Sequence, residues 1–98
     1  MLFAIYALDK PGDGSARMTH RPAHLEYLKS KGAVLKAGGA LLDDAGERMV
    51  GSMIIIEAPD LAAARAFADN DPFKKNGVFE SVVVRPWRVA PLGSVSFG

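Results

Sequence analysis

His24 and Asp71 are the residues of this chain best suited to acid–base chemistry. A histidine oriented by a carboxylate is a common way to hold a general acid or base near neutral pH. The aspartate fixes the ring tautomer and leaves the other ring nitrogen free to move a proton. His24 lies in Arg21-Pro22-Ala23-His24-Leu25, and Asp71 in Asp69-Asn70-Asp71-Pro72-Phe73. Arg21 offers a planar fork of donors that suits a carboxylate or phenolate. Ser52 offers a hydroxyl, but no neighbouring base in sequence makes it a nucleophile. Arg17 reads as part of a solvated basic turn. His20 and His24 are four apart and, with Asp71, would make two histidines and one carboxylate. Pro22 between them argues against that grouping, and no metal or other cofactor is expected. Gly38-Gly39 lacks the spacing of a phosphate loop and reads as a bulge or a close backbone approach.

The elements that must carry these residues follow from apolar spacing and turn residues. Residues 2–8 are apolar throughout and read as a buried strand, stopped by Asp9-Lys10-Pro11-Gly12-Asp13-Gly14. A helix is expected over residues 21–31, with Pro22 in its first turn, Leu25 and Leu28 facing inward and Gly32 as the stop. Residues 15–20 suit either a loop or an extra helical turn. Residues 33–42 and 48–58 read as a hairpin around Asp43-Asp44-Ala45-Gly46. Asp60 suits the N-cap of a second helix, whose inner face is Leu61, Ala64, Phe67 and Ala68. Asp71-Pro72 ends it, because the residue before proline avoids the helical region. Residues 78–89 form the last strand, and Pro86 implies an edge position or a bulge.

The order is βαββαβ, an α+β fold in which two helices cover one face of a four-stranded antiparallel sheet. The start of the first helix, the end of the second and the hairpin turn then lie at one end of the sheet. Topology alone therefore gathers His24, Asp71 and Ser52. Met53-Ile54-Ile55-Ile56 and Val82-Val83-Val84 are apolar on successive residues, so both faces of the sheet call for burial. Two short helices cover one face, and a second copy is expected on the other, giving a homodimer.

Composition narrows the function classes. With 98 residues the chain fits one domain, expected over residues 1–90 with residues 91–98 as a tail. A net charge of +1 gives no case for nucleic acid or membrane partners, which usually require a basic stripe. The chain has no cysteine, which removes disulfides and thiolate chemistry and fits a reducing compartment. Residues 1–8 are too short for a signal-peptide core and lack a basic leader, so a cytoplasmic protein is expected. No apolar run approaches the ~20 residues that span a bilayer.

Taken in order, Arg21-x-x-His24-Leu25-x-x-Leu28, Gly38-Gly39, Gly51-Ser52, Ala68-x-x-Asp71-Pro72-Phe73-x-x-x-Gly77-Val78 and Val84-x-Pro86-Trp87 resemble the YCII-related (YciI-like) family. The resemblance covers about residues 1–89. It implies a ferredoxin-like dimeric α+β barrel akin to muconolactone isomerases, with an active site on His24 and Asp71. It also implies proton-transfer chemistry, since a related dehydrochlorinase acts on a chlorinated hydroxyquinol. The expectation is a cofactor-independent lyase or isomerase acting on a small cyclic or aromatic oxygenated substrate held by Arg21 and Ser52. A non-catalytic dimeric module that binds a small molecule is the alternative.

Overall fold

The computed structural model describes residues 1–93; the end of the expected tail, residues 94–98, lies outside them. Strands β1 (Leu2–Asp9), β2 (Leu35–Leu42), β3 (Met49–Glu57) and β4 (Phe79–Trp87) form one antiparallel sheet in the order β2-β3-β1-β4. Helix α1 (Ser15–Ser30) follows β1. Helix α2 (Leu61–Asp69) and the single-turn α3 (Pro72–Lys75) precede β4. This is the expected ferredoxin-like α+β arrangement. Pro86 lies in β4, which forms one edge of the sheet, where a missing N–H is tolerated.

Strand pairing assigns the side chains to two faces. Ile5 lies opposite Ile54 and Val84, and Phe3 opposite Ile56. These residues pack with Leu28, Ala64, Phe67 and Ala68 of the helices to form the main core. Tyr6 lies opposite Met53 and Val83 on the other face, where Met53 is 47% and Val83 45% exposed. Gly51 is the tightest point between β1 and β3, because a Cβ there would sit 2.3 Å from the Ala7 carbonyl oxygen. Gly38 and Gly39 have no such constraint: an added Cβ meets only ordinary contacts at the first and nothing at the second. The register shifts of β2 fall on either side of this pair, between Leu35 and Ala37 and between Leu41 and Leu42.

Three expectations need correction. Helix α1 begins at Ser15, so Pro22 stands inside it rather than in its first turn. Only one helical hydrogen bond is lost to that proline, and the turns on both sides continue. Leu25 is 44% exposed and points outward. The inner stripe of α1 is instead Arg17, His24 and Leu28, residues spaced by seven and four along one face. Finally, residues 32–34 form a 3-10 turn and leave the strand to begin at Leu35.

The end of α2 also has more structure than a simple stop. Asp60 caps the helix by accepting from the Ala63 N–H at 2.8 Å. After Asn70 the chain turns again, with Asp71 as the N-cap of α3 and Pro72 at its first position, the place where proline costs no hydrogen bond.

Candidate active site

Helix α1 is unusual in what it buries. Of its three buried side chains two are polar, Arg17 and His24, although burying such groups is unfavourable unless they are paired. Both are paired, and both rest on the same aromatic ring.

His24 Nδ1 lies 2.8 Å from Asp71 Oδ1 and 3.0 Å from Oδ2. Oδ1 also accepts the Phe73 backbone N–H at 2.9 Å, so the cap of α3 fixes the carboxylate that faces the imidazole. Because a carboxylate only accepts, the neutral imidazole carries its proton on Nδ1 and presents Nε2 as a free base. The imidazole stacks on the Phe73 ring with centroids 4.0 Å apart and planes inclined by 18°. Phe73 is fully buried and meets Phe79 edge-on at 5.6 Å. His24 itself is 5% exposed. Nε2 makes no hydrogen bond to the described residues, and no buried side-chain nitrogen or oxygen among them lacks a partner. The residual exposure of His24 therefore includes Nε2.

Arg17 lies two turns earlier on the same face. Its Nε donates to Asp9 Oδ2 at 2.6 Å and its Nη2 to Asp9 Oδ1 at 3.0 Å. Nη2 also donates to Ser52 Oγ at 2.8 Å. The guanidinium carbon lies 4.4 Å from the centroid of the Phe73 ring. Arg17 is thus a buried junction between α1, β1 and β3, not a solvated turn. Its basic neighbour Arg21 is only partly buried and bonds to none of the described residues. Ser52 is buried and reached through Arg17. The structure brings His24 and Asp71 into contact and links Ser52 to them through Arg17 and Phe73; it leaves Arg21 aside.

Tyr27 was missed in the sequence. Its hydroxyl donates to the Phe67 carbonyl at 2.8 Å and ties α1 to α2. Burial, and secondly the charge of Asp71, push its phenol above the usual value. The spacing of three from His24 was the available signal. Among the described residues no group of three or more His, Asp or Glu side chains is placed to hold a metal ion. None of the helices among the described residues is long and apolar enough to cross a membrane.

The model of the YCII-related domain matches residues 1–88. Protein YciI of Escherichia coli is 39% identical over 95 residues, which cover 90% of this chain and 97% of that protein. The solved structure of 5-chloro-2-hydroxyhydroquinone dehydrochlorinase (TftG) from Burkholderia phenoliruptrix, in complex with 2,5-dihydroxybenzoquinone, is 36% identical. It superposes with a TM-score of 0.85 over 92% of this chain and 96% of its own. An antibiotic biosynthesis monooxygenase, 21% identical with a TM-score of 0.54 over 93% of this chain and 100% of its own, shares the fold alone. With the family model spanning nearly the whole chain and a relative of this identity matched end to end, the chain belongs to the YCII-related family.

Proposed function

We propose that this protein is a small cofactor-independent enzyme of lyase or isomerase type, acting on a cyclic oxygenated metabolite. The observation that carries the reading is the contact of His24 Nδ1 with both oxygens of Asp71, which leaves Nε2 as the basic atom. In the proposed step Nε2 takes a proton from an O–H or C–H of the substrate. The electron pair so released moves into the ring system. In an elimination, a leaving group departs with its bonding pair; in an isomerisation, the proton returns at another carbon. The imidazolium formed on the way is stabilised by Asp71. Ser52 is assigned to the substrate's oxygen atoms in the same scheme.

Similarity to the dehydrochlorinase supports elimination as the first chemistry to test. Purified protein would be given 5-chloro-2-hydroxyhydroquinone and chloride release followed, beside the His24→Ala variant. Turnover that falls by ~10²-fold or more in the variant supports the dyad. Turnover that survives the substitution rejects it.

One observation favours a non-catalytic binding module as the second reading. The surface clefts near the site open on Arg17, while His24 is nearly enclosed. A ligand that binds wild type and His24→Ala alike, and is never converted, would decide for it.

The same proposal includes a cytoplasmic homodimer. Tyr6, Leu8, Met53, Val83 and Trp87 form an exposed apolar surface on the uncovered face of the sheet, of the kind that marks an interface. Sedimentation of wild type as a dimer, and of Met53→Glu as a monomer, is the expected result. A monomeric wild type at micromolar concentration would contradict it.

A further inference from the structure

We propose that Arg17 is the anchor for an anionic oxygen of the substrate, so that the site selects ionised enols, phenols or carboxylates over their neutral ethers. The inference rests on the proton-transfer reading above and names the substrate class for it.

The guanidinium pairs side-on, spending Nε and Nη2 on Asp9 and Ser52. Nη1 makes no hydrogen bond to the described residues. Since no buried side-chain nitrogen or oxygen among these residues lacks a partner, Nη1 is not sealed, although Arg17 is only 3% exposed. Arg17 lines two clefts. One of about 280 Å³ is walled by residues 9–17, Gly77 and Val78. The other, about 220 Å³, lies between the start of α1 and residues 47–49. Nη1 therefore carries two uncommitted N–H donors on a side chain that lines both clefts.

A purely structural explanation of this pair is weak. Buried ion pairs contribute little net stability compared with well-packed apolar side chains. Asp9 and Ser52 do, however, hold the guanidinium in place before any ligand arrives, so that binding loses little side-chain freedom. Asp9 balances the charge, yet the donors on Nη1 remain charge-assisted. The anchor and the base also share a platform. The Arg17 guanidinium carbon and the His24 ring lie 4.4 Å and 4.0 Å from the Phe73 centroid, so the same ring fixes both side chains. Of the two arginines whose donors suit a substrate anion, Arg17 and Arg21, the proposal takes Arg17.

An enol conjugated to a carbonyl is a vinylogous carboxylic acid and ionises readily. This makes 2,5-dihydroxybenzoquinone a probe of the right class, and 2,5-dimethoxybenzoquinone its neutral counterpart. Dissociation constants of both would be measured by calorimetry on the wild-type chain and on the double variant Arg17→Gln with Asp9→Asn, which leaves no buried charge unpaired. Wild type is expected to bind the dihydroxy compound at least about tenfold more tightly, the worth of one charge-assisted hydrogen bond. The double variant is expected to lose that preference. In wild type labelled with ¹⁵N on arginine, the Arg17 side-chain signals are expected to shift with the dihydroxy compound while those of Arg21 stay in place. The proposal is overturned if wild type shows no preference, if the double variant keeps it, or if the shifts fall on Arg21. If the double variant does not fold, the wild-type signals decide. The chloride-release assay of His24→Ala succeeds or fails independently of these affinities, so failure of the anchor and failure of the base are told apart.

Discussion

Two polar networks meet on the ring of Phe73, and they differ in one respect that separates their roles. The His24–Asp71 pair joins α1 to α3 and contains an imidazole, whose two ring nitrogens can each donate or accept. The Arg17–Asp9–Ser52 network joins α1 to β1 and β3 around a guanidinium, a planar group that only donates. The first can transfer a proton; the second can only hold and orient. The proposed chemistry thus divides the labour between a buried histidine and a buried arginine across one aromatic ring.

Substitutions that act on one network and spare the other test this division. The largest effect is expected in rate: His24→Ala is predicted to lose ~10²–10⁴-fold of the proposed turnover, read from chloride release. Next comes Asp9→Ala, which strands the buried guanidinium and is predicted to cost about 3–5 kcal/mol of stability, measured by urea unfolding. A loss for Asp9→Ala below that of an ordinary surface substitution would refute the junction role. Outside both networks, Asp60→Ala removes the cap of α2 and is expected to cost about 1 kcal/mol.

The smallest effect concerns Tyr27. Burial raises its phenol above the ordinary tyrosine value of about 10, so at alkaline pH the folded state keeps a proton that the unfolded chain has already released. This contribution is intact below about pH 10 and declines as the pH rises through the folded value. Tyr27→Phe is expected to flatten the alkaline fall in melting temperature. An unchanged slope would show that Tyr27 is not linked to folding.

Much of the architecture was legible because strands and α2 announce themselves. Residues 53–56 and 82–84 are apolar runs bounded by polar residues, Asp60 is a strong cap, and Pro86 belongs at an edge. Topology brought His24 and Asp71 to one end of the sheet, and the contact itself came from the turn that α3 adds. Arg17 was misread because the start of α1 carries no signal. Gly14 caps it without a side-chain bond, its first turn has no acidic residue, and Pro22 imitates a first position. With residues 15–20 left open between a loop and an extra helical turn, the seven-residue spacing from Arg17 to His24 went unused. Leu25 was placed inward for a related reason: spacing favours apolar residues, and here the inner stripe is polar. Asp71 was read as the partner of His24 and as the stop of α2, but its role as the cap of the next turn was not foreseen.

Trp87, the chain's single tryptophan, sits opposite Leu2 on the uncovered face of the sheet. That gives the protein a built-in optical gauge. Indole emission depends on how wet its surroundings are, so light from this one residue reports on the uncovered face alone. The helix-covered face, where His24 and Arg17 lie, contains no second indole to confuse the signal. If the proposed dimer forms, dilution is expected to shift the emission, while a ligand near His24 is expected to leave it nearly still. The two faces of one thin sheet can thus be watched separately in an unmodified chain.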